Sequence, residues 1–398
     1  MPVPASVFSL NGVFAVSVVM ILLAGALAVV LAWWAFRRPT PHRKAKVPKA
    51  TPKISPTGKT PPRPQTGIQP SAPDTAPSSA ADAAPPELAA FRWLKLDDLD
   101  TARQATLMNA IKGIPRPPQS LQQLLSPEFV ARAGSGELSE LIMTEPMIAA
   151  KVISTVNAPY YGMHTPVTNI GQAVTFLGIN TVRNICLQYM LAEAFRPRQA
   201  TSQKAFDSVW LASAIASELC VRLSKALQLP DQGNLSTQVV LGFVGHLSAA
   251  SLMPPESLSD WLSLGRLARA EREQSVMDLS ASEIGALLMH AWGLPEPLVN
   301  GVREMDRILI TPPTDHPTVD ASRKALGYLC ARLGERLALG QLASMEDYDP
   351  LQDLALDTHC LNLHLRNPML RRLPAVLASA DVQEAMRQML KGAPTQKA

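Results

Sequence analysis

Disulfide frameworks, zinc clusters and β-structure all lack their sequence signals in this 398-residue chain. The four cysteines, Cys186, Cys220, Cys330 and Cys360, stand far apart inside apolar helical patterns, without the close pairing of a disulfide set or a metal motif. They are expected to be buried, reduced thiols. Strand-like alternation bounded by hairpin dipeptides is missing, which leaves an all-α reading. Gly58-Lys59-Thr60 has the ending of a phosphate-binding loop, but Lys53 stands where the loop needs glycine and prolines flank it, so that reading is set aside. No Ser-His-Asp or Cys-His arrangement can be read from the scattered histidines and hydroxyls.

Charge is missing altogether from residues 1–36 and abundant directly after them. Residues 37–87 hold nine Lys or Arg against three acids, which leaves 28 basic and 30 acidic residues in 88–398. The basic pI of 8.9 therefore belongs to the segment 37–87 and not to the rest of the chain. A nucleic-acid partner needs a basic folded surface, and this distribution argues against one.

Within the uncharged stretch, Val13–Phe36 is an apolar run of 24 residues. At about 1.5 Å rise per residue it exceeds a hydrocarbon core roughly 30 Å thick. Trp33 and Trp34 close it at the expected headgroup level, and Arg37-Arg38 follow at once. A cleaved signal peptide would want a basic segment ahead of the run, and residues 1–12 carry no Lys or Arg. The expectation is a single transmembrane helix over 13–36 in the inner (cytoplasmic) membrane, N-terminus outside, with the rest of the chain cytoplasmic. Residues 37–87, rich in Pro, Ala and Lys and without apolar periodicity, are expected to be a disordered linker.

From about Glu87 apolar residues recur at three- and four-residue spacing: Leu138, Leu141, Ile142; Ile148, Val152, Val156; Ile170, Val174, Leu177. Helices are expected to follow over Phe206–Leu227, Val239–Leu252, Leu258–Glu273, Ser282–Trp292, Glu296–Arg307 and Ser322–Leu339, with a weaker set from Leu351. Pro146 suits a first helical turn, Gly178 a positive φ at a helix end, and Asn157 a C-terminal cap or core hydrogen bond. The chain thus divides into 13–36, 37–87, a helical domain over 88–310 and a C-terminal helical extension over 311–398.

The runs IPRPPQSLQQLLS, ELSELIMTEPMIAAKVISTVNAPYYG and NIGQAVTFLGINTVRNICLQYMLAEAF carry Pro115, Glu145-Pro146, Asn157, Gly162, Ala173 and Leu177-Gly178 in one order. Phe206, Trp210, Gly242 and then Trp292, Gly293 and Pro295 continue it. This ordered set, over roughly 105–307, resembles the HDOD domain, an all-α relative of the HD metal phosphohydrolases. The departures are Glu145 for a more usual Asp, and Ala158 for Ser after Asn157.

The resemblance implies the metal ligands of a phosphohydrolase: an early His, a His-Asp pair and a later Asp, with further His in two-metal members. Here the early-His position reads Ala212 and the His-Asp position Gly245-His246, while the later His falls near Ala281 and a His-His pair around Met305-Asp306. Independently of any alignment, none of the seven histidines is followed by Asp. His246 alone, or Cys360 with His364 four residues on, falls short of a metal site. Asp315-His316 lies among prolines and reads as a loop. The resemblance therefore implies a non-enzymatic regulatory module with no catalytic residue, metal or cofactor, binding a protein partner or a small signalling ligand. Its rivals are a degenerate nucleotide phosphohydrolase with borrowed ligands and a cyclic-dinucleotide sensor without turnover.

Overall fold

Apolar periodicity and cap chemistry translate directly into helices. A computed structural model describes residues 84–392 apart from 196–199, 315, 317 and 347; the expected membrane helix at 13–36 and linker residues 37–83 lie outside the described residues. Among the described residues there is no strand. The N-terminal helices are α1 (Pro86–Ala90), α2 (Thr101–Lys112), α3 (Gln119–Leu125), α4 (Pro127–Arg132), α5 (Ser135–Met143), α6 (Pro146–Val156), α7 (Ile170–Leu177) and α8 (Ile179–Ala194). Then come α9 (Ala200–Ala226), α10 (Gln232–Leu252), α11 (Pro255–Leu258), α12 (Arg266–Met277), α13 (Ala281–Ala291) and α14 (Glu296–Asp306). The chain continues through α15 (Val319–Ala338), α16 (His359–Leu365), α17 (Leu373–Leu377) and α18 (Ala380–Gly392).

The starts and stops have visible causes. The Asn169 side chain accepts from Gln172 N–H at the head of α7, and Gly178, at φ 85°, lets the chain turn from α7 into α8. Pro146 occupies the first turn of α6 as expected. Asn157 does not take the left-handed conformation: its φ is −83°. Its amide instead donates to Ile153 O and Val167 O and accepts from Val167 N–H, fastening the loop after α6, while the left-handed turn falls at Gly162.

The run expected as one helix over Leu258–Glu273 is broken. A 3₁₀ turn at Trp261–Ser263 separates α11 from α12, and Gly265 enters α12 from an extended conformation. Trp261 is fully buried and donates Nε1–H to Glu273 Oε1 at 2.9 Å. Periodicity registers that burial but not the turn that achieves it.

Three long helices, α9, α10 and α15, pack on one another at the centre, with α13 and α14 against α10. The last of the three comes from the C-terminal segment 311–398, so that segment supplies a central wall of the fold. α10 is the one described helix long and apolar enough to cross a membrane, and most of it is buried in this core. All four cysteines are buried free thiols. Helix α1 begins at Pro86, inside the last residues expected to be linker.

Candidate functional site

The positions that the resemblance marks for metal ligands do converge in space, and small residues close them. A Cβ built on Gly245 would lie 1.7 Å from Ala281 O, so α10 and α13 touch backbone to backbone where two of the histidines would stand. A Cβ built on Gly285, one turn along α13, would lie 2.8 Å from Gly245 N in the same crossing. At the early-His position, Ala212 on α9 faces Gly334 on α15, whose built Cβ would lie 2.4 Å from Ala212 O. An imidazole at Gly245 would need α10 and α13 to move apart.

The space that remains is filled with charge paired to charge. Arg266 donates to both oxygens of Glu335, Nε to Oε2 at 3.2 Å and Nη2 to Oε1 at 2.9 Å, and Arg269 Nη2 adds a bond to Oε2 at 2.6 Å. Arg266 Nη1 also reaches Asp306 Oδ1 at 3.5 Å, and its guanidinium lies 4.6 Å from the Tyr328 ring centroid. Glu273 gives one oxygen to Trp261 and the other to the N–H of Ala281, at 2.7 Å. Each of these acids is thus committed to N–H donors that a metal ion would have to displace.

Burial and pairing set the protonation states. Burial pushes the Glu335 carboxyl up, but Arg266 and then Arg269 outweigh it and hold the group at about 2. Burial raises Glu273 to about 7, against the pull of Arg269 and its two N–H donors. Burial likewise raises Asp306, opposed by Arg266. His246 is pushed down to about 3 by burial, with Arg269 adding to the effect and Glu335 opposing it. The imidazole is therefore neutral near pH 7, and its 4.0 Å approach to Glu335 is not an ion pair.

His246, Arg266, Glu273, Asp306, Tyr328 and Trp93 enclose a cavity of about 20 Å³, room for about one water molecule. A wider groove of about 270 Å³ runs past Gly265 at the start of α12. Its Arg332 and Arg336 are both bound to Asp353, at 2.8 and 2.7 Å, and Arg332 also to Asp357.

Of the other residues weighed from sequence, Cys360 and His364 share α16, and His364 Nε2 is bound to Thr311 O at 2.9 Å. Asp315 lies outside the described residues, and His316 sits in the expected loop. Sequence reasoning missed Arg266, Arg269, Glu273 and Glu335. The first three stood in the run LGRLARAEREQ at helical spacing, charged residues at 266, 269 and 273 on one face. Glu335 had no such signal, because its partners lie 66 and 69 positions away.

Residues 114–308 match the family model of the HDOD domain. This part of the chain is an HDOD domain. An HDOD domain protein of unknown function from Geobacter sulfurreducens superposes with a TM-score of 0.52 at 16% identity, covering 74% of this chain and 98% of that one. At that identity the likeness concerns the fold alone. A provisionally named phosphohydrolase from Shewanella amazonensis SB2B gives a TM-score of 0.48 at 18% identity, over 73% of this chain and 98% of its own. By sequence, an uncharacterized protein of Treponema pallidum (strain Nichols) is 24% identical over 221 residues, 53% of this chain. The match spans 41% of that protein's length.

Proposed function

We propose that this protein is a membrane-tethered, non-enzymatic signalling module whose HDOD domain binds a protein partner or a small signalling ligand. The observation that carries this reading is the closed contact of Gly245 with Ala281, backed by Arg266 and Arg269 on Glu335. Metal-assisted phosphoester hydrolysis needs several convergent ligands and an open position for the attacking water. Here two buried guanidinium cations sit among the acids, and the cavity beside His246 has room for about one water. The tether rests on the uncharged run 13–36 and the basic residues that follow it.

The test is turnover by the full chain in detergent. Phosphodiester and phosphomonoester substrates are offered with Zn, Mn or Fe, and the rate is compared with that of His246→Ala. The reading expects no hydrolysis above the blank in either protein. Metal-dependent hydrolysis abolished by His246→Ala would replace it with the degenerate-enzyme reading.

A further inference from the structure

The cavity beside the ion-pair network is closed on one side by chain that precedes the HDOD domain. Residues 91–95 run extended between α1 and the 3₁₀ turn at Leu96–Asp98, and Trp93 is buried among the cavity-lining residues. One side chain of the domain reads this segment's backbone. Gln274 on α12 accepts from Leu94 N–H at 2.8 Å through Oε1 and donates to Arg92 C=O at 3.2 Å through Nε2. That is the paired donor and acceptor that a neighbouring strand would offer to an extended peptide.

The ring between those two bonds has its own receptor. The Arg307 guanidinium lies 5.9 Å from the Trp93 ring centroid and is itself held by buried Glu283 at 2.5 Å. Phe91 meets the ring edge-on at 4.9 Å. Trp93 Nε1 is buried with no acceptor among the described residues. The backbone bonds are blind to sequence, whereas the ring pocket selects an aromatic side chain.

We infer that this groove, formed by α12 and the turn at Arg307, is a peptide-binding site for an extended, aromatic-bearing segment. Residues 86–96 occupy it in cis. A partner's segment of the same chemistry competes for it, lifting the strap that leads back to residues 37–83. The inference names the partner class for the regulatory reading and rests on that reading.

The probe is a labelled synthetic peptide of residues 86–96, added to the full chain in detergent. Against the unaltered protein the tethered copy, at a high local concentration, should weaken binding about tenfold or more relative to a Trp93→Ala protein with its own strap loosened. A peptide carrying Trp93→Ala should not bind, and Gln274→Ala in the receptor should abolish capture. Absence of saturable binding, or binding indifferent to Trp93 and Gln274, would overturn the inference. Hydrogen exchange on the unaltered chain gives a second measurement that needs no variant. Residues 86–96 should exchange through local opening, about tenfold or more faster than α9 and α10. Exchange of the strap only together with those helices would equally overturn it. Neither result depends on hydrolysis, so a failed peptide site and a failed non-enzymatic reading are told apart.

Discussion

His246 is neutral because burial disfavours its charged form, and charging it would place a third cation beside Arg269 and Arg266. Its folded pKa, about 3, lies below the ordinary value of 6.5. The unfolded chain therefore takes up a proton first as pH falls, and the stabilising contribution, complete above about 6.5, is lost progressively toward 3. The expected outcome for His246→Gln is a smaller loss of stability between pH 8 and pH 5 than in the unaltered protein, by on the order of 1–2 kcal/mol. Urea unfolding at the two pH values measures it. Glu273 works in the opposite sense: its raised folded pKa makes ionisation costly, so its destabilising effect grows from about pH 4.5 and is complete above about 7. Comparing His246→Gln with its parent cancels that contribution. Glu335 anchors both arginines, and replacing it with Gln leaves two buried cations short of a counter-charge. That variant should lose about 3–5 kcal/mol, read from denaturant unfolding at pH 7.

At the scale of elements, helix crossings decide what the site can hold. Gly245→Ala forces a methyl into the Ala281 carbonyl and should cost about 1–3 kcal/mol or more. Gly242, in the interior of the same helix, has open space around a built Cβ. Gly242→Ala should be neutral or stabilising by about 0.5–1 kcal/mol. Thermal unfolding of the pair separates close packing from helix propensity, since both substitutions add the same methyl to α10. Much of this level was legible in the sequence. Helices α9, α10, α13, α14 and α15 fall on expected stretches because their apolar stripes are long, and the positions Ala212, Gly245 and Ala281 were marked by the family resemblance. The break before α12 was not legible, since Trp261 continues the apolar period while the chain turns beneath it. Neither was Glu335, which meets Arg266 only once α15 folds back across the domain. Trp93 lies in an extended segment and gave no periodic signal.

At the scale of the whole molecule, the sequence joins an uncharged N-terminal run and a basic Pro-rich segment to a helical domain. The proposed topology rests on Arg37-Arg38 after the apolar run. A reporter fused after Ala398 should be active only in the cytoplasm; an exported reporter would reverse the orientation. The proposal that a buried ion-pair network fills the site and leaves no place for a metal ion is tested most directly by the metal content of the protein. Full chain purified in detergent, loaded with excess Zn, Mn or Fe and then dialysed, should retain only a small fraction of stoichiometric metal, unchanged in His246→Ala. Near-stoichiometric metal that disappears in His246→Ala would contradict the account.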